Sequence, residues 1–115
     1  TPRASSVGLG GELFVQLLAS HPDVDAIFFG NDDLAQGALL EAMRCGIKIP
    51  QQVAILGFND LPASAHMVPR LSSISTPREA IGRRAAEQML TLMAGNTVAK
   101  PVQDMGFELK VREST

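Results

Sequence analysis

An α/β fold, a parallel sheet with flanking helices, is predicted from three observations. Two short apolar runs, Ala26-Ile27-Phe28-Phe29 and Val53-Ala54-Ile55-Leu56, are bounded by turn residues and are too brief for helices, which marks buried strands. Between them lies an amphipathic stretch with a capping signal at its start and a glycine at its end, the crossover that parallel strands require. At 115 residues with 45% hydrophobic content, the chain can bury a single core and is too short for several domains.

The elements follow in chain order. Leu13, Phe14, Leu17 and Leu18 recur at helical spacing, so residues 8–20 form a first helix that closes before His21-Pro22. Residues 24–30 form a central parallel strand. Asn31-Asp32-Asp33 supplies cap chemistry for a second helix, whose Leu34, Ala35, Ala38, Leu39, Ala42 and Met43 share one stripe ending at Gly46. Residues 53–58 form the second strand, and residues 59–70 a long loop with room for a helical turn. Residues 71–75 read as a third strand. Thr76-Pro77-Arg78-Glu79 has the order of a capping box with proline at the first helical position, ahead of a third helix over residues 77–94. After a linker at 96–106, Phe107, Leu109 and Val111 alternate with Glu108, Lys110 and Arg112 in a strand with one exposed face.

Composition narrows the function classes. Ten Lys and Arg against twelve acids leave a net charge of −2, without the basic excess of an electrostatic nucleic-acid binder. Aromatic content is 4%, all Phe, which removes the Trp and Tyr platforms for stacking bases or sugar rings. The lone Cys45 forms no internal disulfide, and no apolar run approaches the roughly 20 residues that span a bilayer. A soluble cytoplasmic protein with no membrane partner is expected. The start at Thr1 rather than Met points to a true N-terminus upstream.

Ligands of open parallel sheets sit beyond the carboxyl ends of the strands. Two strands deliver the same chemistry there: one runs into Asn31-Asp32-Asp33 and the next into Asn59-Asp60. Amide donors beside oxygen acceptors match the vicinal hydroxyls of a polyol or sugar, although a helix cap and a turn would each account for one cluster alone. His21 and His66 are isolated, so no metal is expected, and no strand-turn-helix elbow presents Ser5-Ser6 or Ser72-Ser73 as a nucleophile. No catalysis and no cofactor are expected. Gly8-Leu9-Gly10-Gly11 reads as a flexible helix entry, Asp32-Asp33 as capping, and Cys45 as packed. Met43, Met67, Met89 and Met93 read as core or interface filler. Arg78 stands in the first turn of a helix, where the dipole disfavours a cation; a surface ion pair or an anionic ligand such as a sugar carboxylate would explain it.

Taken in order, Asp25-Ala26-Ile27-Phe28 with Asn31-Asp32-Asp33-Leu34-Ala35-Gln36-Gly37-Ala38, then Gly46-Ile47-Lys48-Ile49-Pro50, then Val53-Ala54-Ile55-Leu56-Gly57-Phe58-Asn59-Asp60 form a familiar series. With Pro69-Arg70-Leu71-Ser72-Ser73-Ile74 and the closing Val111-Arg112-Glu113-Ser114-Thr115, the series resembles the C-terminal part of the effector-binding core of LacI/GalR-family transcriptional regulators, over essentially the whole chain. Ser5-Ser6 ahead of Gly10-Gly11-Glu12-Leu13, and Thr76-Pro77-Arg78-Glu79-Ala80-Ile81-Gly82, resemble the gluconate-repressor branch.

The resemblance implies a periplasmic-binding-protein-like fold, with residues 1–115 as the C-terminal lobe plus a segment of the N-terminal lobe. The segment 75–96 would normally pack on an N-terminal lobe that this sequence lacks, so the third helix should project away, pack differently or be completed by a partner chain. A repressor without enzymatic activity is implied, binding a small sugar or sugar acid such as gluconate and reaching operator DNA through an N-terminal head outside this chain. A periplasmic sugar-binding receptor would share the fold. Asn31 and Asn59 match positions that contact effector hydroxyls. The second of these is usually Asp in the family, and the amide of Asn59 tolerates a nearby carboxylate. Ser5 stands where the family often has a stacking aromatic, and Thr76 and Arg78 fall among effector-lining positions, Arg78 as a carboxylate partner. Leu34, Gln36, Leu39, Met43 and Met67 resemble the surface of a homodimer.

Overall fold

The computed structural model of the protein describes residues 2–115. Helix α1 (Val7–Ser20) begins where the Leu9 N–H donates to Ser6 Oγ at 3.1 Å, and ends where the His21 N–H returns to the Leu17 carbonyl. Strand β1 (Ala26–Phe28) is short, and α2 (Asp32–Cys45) follows from an Asn31 cap. Gly46 stops α2 at φ 70°, a left-handed position that a side chain resists, and the Gly46 and Ile47 N–H groups close the last turn. Strand β2 (Ala54–Phe58), a 3₁₀ turn (Pro62–His66) and β3 (Ser72–Ser75) come next, then α3 (Arg78–Met93) and β4 (Glu108–Lys110). The sheet order is β1-β2-β3-β4, with β1 and β2 parallel in the register Phe28 opposite Leu56, and β2 and β3 parallel with Leu56 opposite Ser72.

The chain divides into two compact units: residues up to Ser75 together with Leu109–Thr115, and Thr76–Glu108. In the first, Phe14, Phe29, Ala35, Ala38, Leu39, Ala42, Val53, Ile55 and Leu71 make one buried cluster. Helices α1 and α2 approach so closely that a Cβ on Gly37 would stand 1.9 Å from the Val7 carbonyl oxygen, and one on Gly10 2.1 Å from that of Leu34. The Gly8-Leu9-Gly10-Gly11 run is therefore a helix-packing surface inside α1 rather than a flexible entry. The C-terminal tail is stapled across β2 and β3 by Ser114, fully buried. Its Oγ donates to the Ile55 carbonyl at 2.6 Å and accepts the Ser72 N–H at 2.8 Å, while its carbonyl takes the Ile55 N–H.

Several expectations need correction. β1 is an edge strand rather than a central one, paired only with β2, and Phe28 stays 58% exposed while Phe29 turns into the core. Around β4 both faces are open at Glu108 and Leu109: Phe107, Leu109 and Val111 are exposed, as is Glu108, while Arg112 is drawn in by polar partners. The capping box before α3 does not form. Pro77 is the cap residue, the Arg78 N–H donates to the Thr76 carbonyl instead of its hydroxyl, and Glu79 is taken by Arg83 at 2.8 Å. Cys45 is exposed, its thiol beside Glu41, because it lies on the solvent side of the last turn of α2.

In the unit Thr76–Glu108, α3 buries none of its residues. Ile81, Met89, Leu92 and Met93 share much of one helical face and are all exposed, so Met89 and Met93 fill no core within this chain.

Candidate functional site

The site is built at the carboxyl ends of β1 and β2. Because Phe28 pairs with Leu56, Asn31 and Asn59 each stand three residues past a matched pair and leave adjacent strands at the same level. Asn31 spends its Oδ1 on the helix, accepting the Leu34 N–H at 3.1 Å, which leaves its amide NH₂ as a donor. The capping role and a ligand role therefore use different atoms of one side chain. Asn59 has φ 100° and Asp60 φ 51°, two consecutive left-handed residues without a glycine. Asn and Asp bear this better than other side chains, at a cost of about 1–3 kcal/mol each. The Asn59 N–H is held by the Ile74 carbonyl at 2.8 Å, and its side-chain amide makes no hydrogen bond among the described residues.

Asp32 is the hub beneath this turn. Fully buried, it accepts the Ser73 hydroxyl on Oδ1 at 2.6 Å, and on Oδ2 the Ser64 hydroxyl at 2.5 Å and the Leu61 N–H at 2.6 Å. A buried carboxylate costs several kcal/mol unless its lone pairs are filled, and here three donors fill them. Gly57 makes room for it, since a Cβ there would meet Asp32 Oδ1 at 2.3 Å. Ser73 Oγ also accepts the Asp60 N–H at 3.1 Å, and Asp60 Oδ1 pairs with Arg112 at 2.7 Å, both side chains mostly buried. Arg112 donates again to the Leu71 carbonyl at 2.7 Å.

Asp32 is thus more than the cap that Asn31-Asp32-Asp33 suggests, and Ser73 and Arg112 join it in the site. Two signals of this were present in the sequence. Asn31 alone satisfies the cap, which leaves Asp32 in surplus, and a serine pair inside a buried strand requires an internal acceptor.

The remaining candidates are spread out. Ser5 is exposed just before the Ser6 cap. Thr76 and Arg78 belong to the unit Thr76–Glu108, where they line an open groove of about 840 Å³ along α3 with Arg83, Arg84 and Glu87. Arg83 is paired to Glu79 and Arg84 to Glu87 and Gln103, whereas the Arg78 side chain has no partner among the described residues. Of the dimer candidates, Leu39 is 1% exposed in the core and Gln36 is buried with its amide on Ser64, so neither offers a surface. Leu34 and Met67 are partly buried against the core, and Met43 is 58% exposed. Met43 joins Val7, Val15 and Leu40 around a groove of about 770 Å³ between α1 and α2; Leu40, one position from the predicted Leu39, is the exposed residue of that pair. Among the described residues no cluster of three or more His, Cys, Asp or Glu could hold a metal, and no helix is long and apolar enough to cross a membrane.

Comparison with known proteins gives this geometry a context. Residues 2–115 match the family described as periplasmic binding protein-like domain. The chain is 73% identical over its full 115 residues to the HTH-type transcriptional regulator GntR of Pseudomonas aeruginosa, covering 34% of that protein. It is 39% identical over 109 residues to the HTH-type transcriptional regulator IdnR of Escherichia coli, covering 94% of this chain and 33% of the relative. The chain thus spans about a third of the length of the curated relatives it matches. Among solved structures, the transcription regulator GntR from Chromobacterium violaceum superposes with a TM-score of 0.89 at 43% identity, over 98% of this chain and 42% of that one. A LacI family transcriptional regulator from Arthrobacter sp. FB24, in complex with lactose, superposes with a TM-score of 0.82 at 26% identity, over 96% and 41%. These relatives are transcriptional regulators rather than enzymes. Parallel strands feeding a level pair of asparagines, and a match along all of residues 2–115, lead to one conclusion: the chain belongs to the periplasmic binding protein-like domain family, in the company of LacI-type regulators.

Proposed function

We propose that this chain is the C-terminal, effector-binding part of a transcriptional repressor that responds to a small sugar or sugar acid of the gluconate type. The observation that carries this reading is the level pair Asn31 and Asn59 at the carboxyl ends of adjacent parallel strands, each with amide atoms not used by the fold. Two amides supply donors and an acceptor to vicinal hydroxyls without adding a charge that would repel a carboxylate. Arg78, whose side chain has no partner among the described residues, offers a cation suited to a carboxylate in the groove it lines with Thr76, and Ser5 offers no aromatic ring to stack on a sugar. The likeness to transcriptional regulators favours a regulator over a periplasmic receptor.

The exposed face of α3 supports a longer polypeptide of the relatives' size, with further chain covering Ile81, Met89 and Met93 and a separate head contacting operator DNA in the cytoplasm. Effector binding then shifts the balance between operator-bound and released forms. Homodimers form through the groove of Val7, Val15, Leu40 and Met43 together with Leu34 and Met67.

Calorimetry of the full-length protein against gluconate and glucose tests the effector. Gluconate alone should bind, and Asn59→Gly and Arg78→Ala should each weaken it at least about tenfold. Equal binding of both sugars, or an Arg78→Ala variant with unchanged gluconate affinity, overturns the acidic assignment.

A further inference from the structure

Asn59 and Asp60 hold consecutive positive φ angles, and such backbone persists only where its surroundings over-determine it. Three side chains from distant parts of the chain converge on these few residues. Asp32, at the start of α2, takes the Leu61 N–H; Ser73, in β3, takes the Asp60 N–H; and Arg112, in the C-terminal tail, takes the Asp60 carboxylate. The three are themselves tied: Ser73 donates its hydroxyl to Asp32, and Arg112 is anchored by its guanidinium to the Leu71 carbonyl and by its N–H to Ser72 Oγ. Asn59, by contrast, is held by its backbone N–H, and its side chain makes no hydrogen bond among the described residues.

We propose that Asp32, Ser73 and Arg112 form a clamp that imposes the left-handed turn at Asn59-Asp60 and so sets where the Asn59 amide meets the effector. They are positioning residues, acting through Asn59 rather than touching the ligand. The inference rests on the reading of Asn59 as an effector contact. Arg112 is its most informative member, because it is anchored outside the turn and reaches it only through Asp60. Cutting that pair releases the turn while leaving the buried Asp32 network intact.

The test uses the full-length protein with gluconate as the probe and four variants: Arg112→Gln, Asp60→Asn, Asn59→Gly, and Arg112→Gln combined with Asn59→Gly. Asp60→Asn removes the pair from its other side and keeps a residue that accepts positive φ, which guards against a poorly folded Arg112→Gln. Glycine at 59 removes the amide without straining the backbone. Arg112→Gln and Asp60→Asn should each weaken gluconate binding about tenfold, while adding Arg112→Gln to Asn59→Gly should cost little more. Wild-type affinity in both single variants, or a loss that multiplies fully in the combined variant, overturns the clamp. If wild-type protein does not bind gluconate, the effector reading fails on its own, and the crystal structure of Asp60→Asn decides the clamp. A turn relaxed to negative φ at residue 59 or 60 upholds it, and an unchanged turn overturns it.

Discussion

Helices α2 and α3 make a matched pair with opposite fates. Both run for about four turns and carry apolar residues at helical spacing, yet α2 buries seven of its fourteen residues and α3 none of its sixteen. Their ends differ in the same way: α2 has a side-chain cap at Asn31 and a left-handed stop at Gly46, while α3 starts at Pro77 without a side-chain cap. Apolar periodicity states that a face needs covering and does not say what covers it. In the first unit the cover is α1 and β2; in the second, no residue of α3 is buried.

The contrast can be broken by substitution. Phe14→Ala removes a fully buried ring and should cost about 3–5 kcal/mol in denaturant unfolding, whereas Met93→Ala, at a residue 76% exposed, should stay within about 0.5 kcal/mol. Gly37→Ala drives a methyl into the Val7 carbonyl and should destabilise by about 3 kcal/mol or more. Gly82→Ala in α3 meets nothing within 4 Å and should stabilise by up to about 1 kcal/mol, read from the same denaturation midpoints. Asn31→Ala removes a cap and should cost about 1 kcal/mol, with hydrogen exchange rising first in the opening turn of α2.

The smallest effect is electrostatic. Arg3, first by hydrogen bonding and then by its charge, holds the Glu12 carboxyl below its ordinary value. A carboxyl lowered on folding adds stability above its unfolded pKa and loses it as pH falls through the folded value. Both side chains are exposed, so Arg3→Ala should lower the melting temperature slightly at neutral pH, and the difference should vanish in acid.

The order of elements was legible because α1, α2 and β2 each combine a pattern with a terminator: His21-Pro22, Gly46 and the Asn59-Asp60 turn stand where those elements stop. Strand position in the sheet was not legible, since a run such as Ala26-Ile27-Phe28 reads the same with one neighbour or two. Of the site, Asn31 and Asn59 could be read because an amide after each strand is a local pattern. The Asp32, Ser73 and Arg112 network joins residues some forty positions apart, brought together by the register of the parallel strands and by the tail stapled through Ser114. Leu39 and Leu40 show the limit of helical phase: one step of about 100° separates a core side chain from an exposed one.

Hydrogen exchange compared between the 115-residue chain alone and the full-length protein tests most directly whether α3 awaits a cover. Amides of α2 should be protected in both, and those from Gly82 to Met93 in the full-length protein only. Equal protection of α3 in the isolated chain, or loss of protection in α2 there, would contradict the account.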